Sequence, residues 1–388
     1  MCQDYLNQFN QRHIYLMRII VPAIPHTVTN SDYVACAFTQ KVRKFVKMMS
    51  GRGHEVYHVG HVDSDIYVAN DVHQVSVIDN NVLRQSYGDA YVDQHIWKYH
   101  GFGKFFKSDD VAHQHFNSSA IAAIAPLITS DTVIVGFWGY GHKPIADAFP
   151  AVPFIEGGIG YLGAFSQWRV YESNAVMCAL ATPEAVVKCL HNWYHRVIPN
   201  YFDPDDFDYA DRSDKEDYLL YLGRVIESKG VDIAIQAAEA AGKKLLIAGQ
   251  GQLSDLGYKT NPPHVQYVGY ADPLRRRMLL AKAAGLIIAS KYLEPFAGVQ
   301  VEAWLSGTPT VTPDHSAFAE YNHHNVSGYR CRMFRHFVEA CAKVQLLDTE
   351  ACRAHGEKFT LSAVAPLYDD YLQDVLDVYH DRGWYSQR

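Results

Sequence analysis

Glu294 and Glu302 flank the bare pair Ala297-Gly298 in EPFAGVQVEAWLSGTPTV, residues 294–311. Carboxylates accept from paired sugar hydroxyls, so two of them near one turn fit a hydroxyl-rich ligand, one acid holding a hexose and the other a ribose. The geometry follows if a helix starts near Gly298, just after the turn at Pro295. The amides of Gly298 and Val299 then have no acceptor within the helix and can bind ligand oxygens. Glu302 lies about one turn in, Glu294 sits in the entering loop, and both acids face one cleft. The plainer alternative is a helix start decorated with surface acids.

Cations occupy a comparable place upstream. GRVIESKG, residues 223–230, puts Gly223, Arg224 and Lys229 around a turn that leads from a strand into a helix. A helix N-terminus carries a partial positive charge, and two added cations could neutralise a diphosphate. Two exposed basic residues near a turn is the competing reading. Next, AGQGQL places Gly249 and Gly251 where a backbone could approach a ligand closely, although a lone GxG also fits an ordinary tight turn.

These segments need a scaffold. Both halves of the chain alternate short apolar runs with longer amphipathic ones, which is the pattern of parallel sheets covered by helices. The first half reads as strands at 18–24, 55–60, 74–78, 132–138 and 152–157, and the second as strands at 218–224, 243–249, 264–269, 285–290 and 308–313. Phe38, Val42, Phe45, Val46 and Met49 form one buried helical stripe, with Asn30 or Ser31 as N-cap and Gly51 with Gly53 as the end. VIPNYFDPDDF, 197–207, suits a linker. The closing segment puts Leu367, Tyr371, Leu372 and Val375 on one side of a helix. The expected fold is α/β, two doubly wound Rossmann-like domains facing a cleft, with ligands at the carboxyl ends of the strands. The expected units are an extension over 1–16, a first domain over 17–198, a second over 199–364 and a final helix over 365–388.

Composition narrows the class. The chain has 388 residues, 48% hydrophobic and 20% charged, with a net charge of −7. That is ordinary for a globular protein and argues against wholesale coating of nucleic acid. Seven cysteines without a CxxC pair point to reduced thiols in a cytoplasmic setting. The first sixteen residues are polar and show no signal core, and AIAAIAPLI is too short to span a membrane. No function attaches to the 26 tyrosines and 20 histidines.

SGRGHEVYHVG, VIPNYFDPDDF, YLGRVIESKGVDIAI, LIAGQGQL and ASKYLEPFAGVQVEAWLSGTPTVTPDHSAFAE, in this order, resemble the retaining nucleotide-sugar glycosyltransferases of family 4, whose fold is GT-B. The resemblance is close over roughly 195–330 and thinner over 17–195. Glu294 to Glu302 is similar to that family's E-x7-E signature. The resemblance implies a UDP-, GDP- or ADP-linked sugar donor, transfer to an acceptor hydroxyl with retention, and neither metal nor cofactor. Arg224 and Lys229 would hold the diphosphate. Glu294, with the amides of Ala297, Gly298 and Val299, would hold the sugar, and Glu302 the ribose. Tyr270, in VGYAD, would lie beside the base. The final helix would cross back onto the first domain.

Departures lie in the first domain. PAIPHTVTNSDY, with Pro25 and His26, replaces the family's Gly-rich loop, and PFIEGGIGY offers Glu156 and Gly157 where a histidine is common. His142, in FWGYGHKPIAD, is the nearest histidine and a candidate for the cleft and for catalysis. His26, His142, Glu156 and Gly157 are therefore the acceptor-side candidates. The acceptor could be a glycan, a lipid-linked molecule or modified nucleic acid. The helix KVRKFVKMMSGR holds Lys41, Arg43, Lys44, Lys47 and Arg52 and no acid. It is either a solvated face or a surface for an anionic acceptor, including peripheral contact with lipid headgroups. Three other readings stand beside this one. The DSD string at 63–65 would suit a metal-dependent GT-A transferase. A GT-B nucleotide-sugar epimerase would need no acceptor, and a two-domain sugar-binding protein would do no chemistry.

Overall fold

The structure, a computed structural model, describes residues 15–66, 72–180 and 193–380. Most of the expected N-terminal extension and the last eight positions, 381–388, lie outside the described residues. Two parallel sheets dominate. The first runs through β1 (Arg18–Pro22), β2 (Glu55–His61), β3 (Val72–Ile78), β4 (Thr132–Gly136), β5 (Phe154–Ile159), β6 (Trp168–Tyr171) and β7 (His195–Val197), in the order β3-β2-β1-β4-β5-β6-β7. The second contains β8 (Glu216–Leu222), β9 (Lys244–Ala248), β10 (Val265–Gly269), β11 (Ala283–Ile287), β12 (Thr310–Pro313) and β13 (Gly328–Cys331), in the order β10-β9-β8-β11-β12-β13. Each sheet is doubly wound, and its order reverses beside its first strand, between β1 and β4 and between β8 and β11.

The expected strands are present with ends shifted by a few residues. Three strands lack an apolar run long enough to announce them: β6 (WRVY), β7 (HRV) and β13 (GYRC). They are short and lie toward one side of each sheet, where fewer neighbours demand apolar side chains.

Helix α1 (Ala37–Ser50) buries Val42, Phe45, Val46 and Met49 in the core of the first domain, with Phe38 half-buried beside them. It starts later than its capping residues suggested. Asn30 instead caps the short turn Ser31–Tyr33 by accepting from the Asp32 amide at 3.0 Å, and α1 follows Cys36 without a side-chain cap. Gly51 closes the helix as expected. Further along the chain come helices α2 (Val111–Ile124), α3 (Val231–Ala240), α4 (Pro273–Lys282) and α5 (Gly298–Leu305).

The final helix, α6 (Leu361–Tyr379), carries Pro366 inside it and begins four residues before the expected boundary at 365. Tyr368, Tyr371, Leu372, Val375 and Leu376 join the core formed by α1 and the first sheet, so the chain does cross back. Leu367 is a correction, since it is 45% exposed and off the packed face. The linker is not a solvated loop. Tyr201 and Phe202 are buried, and Phe202 exchanges backbone hydrogen bonds with Phe359 and Leu361, each at 2.9 Å. The two crossings between domains thus brace each other.

Candidate functional site

A cleft of about 2320 Å³ lies between the carboxyl ends of both sheets. Its second-domain wall comes from the segments after β8, β9, β10 and β11, and its first-domain wall from those after β1, β3, β4, β5 and β6 together with α1. Both reversal points of strand order therefore open on it, which is where open α/β sheets bind ligands.

At the second reversal point the cations and acids meet. β8 runs into Gly223 and the exposed Arg224, whose carbonyl accepts from the Tyr221 hydroxyl at 2.8 Å. A 3-10 turn over Glu227–Lys229 then ends at Gly230, with φ 65°. A Cβ on Gly230 would stand 1.9 Å from the Ala289 carbonyl oxygen, so glycine lets this turn press against the end of the β11 segment. Lys229 Nζ consequently reaches Glu294, at 2.7 Å from Oε1 and 3.1 Å from Oε2, and lies 4.8 Å from the centre of the Tyr292 ring. Glu294 is 5% exposed. Burial of its charge is offset by this contact, as a desolvated carboxylate requires.

Helix α5 starts at Gly298 as expected, behind Ala297 in the left-handed region (φ 61°). That conformation costs an alanine on the order of 1–2 kcal/mol, and the first helical residues, Gly298 and Val299, line the cleft. Glu302, one turn in, is gripped by Arg276 of α4, with Nε and Nη2 at 2.6 and 2.5 Å from one carboxylate oxygen. Tyr270 also lines the cleft. Its buried hydroxyl has no hydrogen-bond partner among the described residues, and burial pushes its pKa up to about 12. Gly249 and Gly251 line the cleft too, but their need for glycine comes from their neighbours. Cβ atoms there would meet the carbonyl oxygens of Gly223 at 1.8 Å and Val225 at 2.8 Å. Close packing of two loops explains this GxG. All of Glu294, Ala297, Gly298, Val299, Glu302, Arg224 and Lys229 share the one cleft.

The first domain corrects several expectations. His142 is fully buried, bonded through Nε2 to the Ala23 carbonyl at 2.9 Å, and off the cleft wall. Burial pushes its pKa down to about 4, so it is a neutral core histidine. Glu156 is also buried off the cleft, accepting from the amides of Phe165 and Ser166 at 2.8 and 2.7 Å. It ties the β5–β6 connection together, and desolvation raises its pKa. Gly157 packs where a Cβ would stand 2.6 Å from the Phe137 ring. Of the four acceptor-side candidates only His26 lines the cleft. The DSD string lies away from it, with Asp63 accepting from Asn80 at 2.8 Å. Among the described residues no group of three or more His, Cys, Asp or Glu gathers in a metal-binding arrangement.

The basic helix α1 is not a solvated face: Lys41, Arg43 and Lys44 line the cleft, and several of the cations are paired within the chain. Lys41 is buried, 3.0 Å from Glu172 and 2.9 Å from the Gly158 carbonyl oxygen. Lys47 pairs with Asp203 of the linker, and Arg52 pairs with Asp369 of α6 at 2.6 Å. Lys44 sits 4.0 Å from the centre of the Phe202 ring, and burial pulls its pKa down to about 8. Glu172 and Arg276 are the site residues that sequence reasoning missed, while Lys41 was read only as one charge of a basic face. Nothing local in WRVYES singles out Glu172. Only the position of β6 in the sheet brings that acid to the cleft.

Residues 203–353 match the model of Glycosyl transferases group 1. That stretch contains Arg224, Lys229, Tyr270, Glu294 and Glu302, and it leaves the first domain outside. An uncharacterized glycosyltransferase of Methanocaldococcus jannaschii is 31% identical over 163 residues, which cover 38% of this chain and 41% of the relative. The match therefore spans about two-fifths of that relative's length. AviGT4, a glycosyltransferase involved in avilamycin A biosynthesis, superposes with a TM-score of 0.68 at 19% identity, covering 93% of this chain and 98% of its own. The Anabaena protein HepE, solved in complex with UDP and glucose, gives 0.61 at 14% identity, covering 92% and 100%. At these identities the likeness concerns the fold. The chain has the GT-B fold, and its second domain is similar to the group 1 glycosyltransferase domain.

Proposed function

We propose that the chain is a glycosyltransferase that moves a sugar from a nucleoside-diphosphate sugar to an acceptor hydroxyl, with retention at the anomeric carbon and without a metal. One observation carries this reading: Lys229 and Glu294 are paired at the reversal point of the second sheet, beside Arg224 and the start of α5. A cation and an acid held together in the cleft are matched to a ligand that carries both a diphosphate and hydroxyls. On donor binding the diphosphate takes Lys229 as its partner, and Glu294 turns to the sugar hydroxyls. The E-x7-E resemblance supports retention, and HepE, solved with UDP and glucose, supports the donor class.

The chemistry then asks little beyond electrostatics. The bond from the anomeric carbon to the terminal phosphate oxygen breaks, the acceptor oxygen bonds to that carbon, and the hydroxyl proton leaves with the phosphate. Arg224, Lys229 and the α5 amides stabilise the charge that gathers on the departing diphosphate. Walls from both domains position the acceptor and limit access of water. Calorimetric titration with UDP-, GDP-, ADP- and TDP-sugars tests the donor assignment, with saturable binding of one base class expected. Activity that survives EDTA supports the metal-free reading. Activity lost to EDTA and restored by manganese contradicts it.

A further inference from the structure

The first-domain wall of the cleft contains a run of aromatic rings that the donor reading does not use. His26 stacks on Phe106 with centroids 4.1 Å apart, and Trp138 lies 4.9 Å from His26 and 5.2 Å from Phe106. Phe38 continues the wall, 5.4 Å from Trp138, and its ring centre is 4.8 Å from Lys41 Nζ. Lys41 in turn meets Glu172 at 3.0 Å. All six residues line the cleft. A continuous surface therefore leads from stacked rings at one end to a buried ion pair at the other.

The polar end faces the donor side. A Cβ on Gly160, the neighbour that would stand 3.2 Å from Glu172 Oε2, would also stand 2.8 Å from Pro295, next to Glu294. Glu172 is 4% exposed, and desolvation raises its pKa while Lys41 opposes that rise. The ring end is uncharged. His26 is 1% exposed, burial holds its pKa well below the usual histidine range, and its Nδ1 has no hydrogen-bond partner among the described residues. Meanwhile Lys41 and Lys47 of α1, and Arg52 just beyond its end, are each paired with an acid of the chain itself, which reduces the charge this stretch offers a polyanion.

We propose that this wall is an acceptor subsite for a compact hydroxylated ring compound, a sugar or aryl glycoside. The ring's apolar face lies on Phe106, Trp138 and Phe38, with His26 buried against Phe106, and a hydroxyl points to the Lys41–Glu172 pair. Glu172 accepts from that hydroxyl and orients its oxygen toward the donor sugar. Aromatic side chains present flat apolar area at little entropic cost, which suits the C–H face of a pyranose or an aryl ring. The proposal rests on the glycosyltransferase reading and assigns the substrate class to its acceptor side.

The test is equilibrium binding of 4-nitrophenyl β-D-glucopyranoside and of maltose to the full chain, by ligand-observed NMR. A twelve-nucleotide single-stranded DNA and vesicles containing anionic lipid serve as competing probes. UDP is titrated separately, so failure of the donor reading appears in its own arm. Saturable binding of at least one ring probe is expected, weakened about 2- to 10-fold in Phe106→Ala, as loss of one aromatic contact implies. Glu172→Gln should then lower the turnover of transfer more than it raises the KM for that probe, which a merely structural role would not do. Trp138→Phe, which keeps a ring, should retain binding and guards against a variant that fails to fold. Binding of neither ring probe, equal binding by Phe106→Ala, or saturable binding of DNA or vesicles in their place overturns the proposal.

Discussion

At the residue scale the account rests on a division of labour between two acids. Glu302 is fixed by Arg276; under the proposed function it holds the ribose, away from the bond that breaks, so its contact would be present equally in ground and transition states. Glu302→Ala should raise the KM for donor with turnover little changed, whereas Glu294→Gln should mainly lower turnover. Steady-state kinetics on both variants check this, and normal kinetics in both would contradict it. The E-x7-E pair, Arg224 and Lys229 were legible in the sequence because each stands beside a turn that follows a strand. His142 and Glu156 misled for a physical reason. A polar residue after a strand reads the same whether it faces a cleft or satisfies a backbone group inside, and only the partners, Ala23 and the Phe165–Ser166 amides, tell the two apart.

At the element scale, Gly230 lets the turn that carries Lys229 press against the Ala289 carbonyl. Gly230→Ala places a methyl group on the Ala289 carbonyl and keeps a positive φ, so it should destabilise the chain by about 1–3 kcal/mol and weaken donor binding together. Chemical denaturation and calorimetry on this variant measure both losses. The first sheet carries a pH signature of its own. His58 and His142 are buried, and desolvation lowers each pKa to about 4. The unfolded chain binds their protons first, so the stability they contribute is present above roughly pH 6.5 and lost as pH falls from there toward about 4. Thermal melts across that window should show Tm falling with acid, less steeply in His142→Gln. A Tm independent of pH there would refute the assignment. Strands with long apolar runs were readable, whereas β6, β7 and β13 were not, because three or four residues carry too little periodicity to separate a strand from a loop.

At the scale of the whole molecule, function depends on surfaces that sequence separates widely. Gln250, in the loop after β9, donates across the cleft to the Trp97 carbonyl at 2.7 Å, and Glu320 accepts from the amides of Asn174 and Ala175 at 2.9 and 2.7 Å. These contacts hold the second-domain and first-domain walls of the cleft opposite one another. The two-domain plan and the returning helix were legible, since alternating patterns and a stripe of tyrosine, leucine and valine survive in one dimension. The pairing of α1 was not, because Glu172, Asp203 and Asp369 lie more than a hundred positions from the cations they neutralise. The central claim is that the Lys229–Glu294 site drives departure of a nucleoside diphosphate from its sugar. The most direct measurement is release of nucleoside diphosphate from the donor that titration selects, in wild type and in Lys229→Ala, with folding checked by circular dichroism. Loss of one partner of the developing phosphate charge costs about 3–4 kcal/mol in comparable sites, so release should fall by roughly a hundredfold or more. Undiminished release by a folded Lys229→Ala variant would contradict the account.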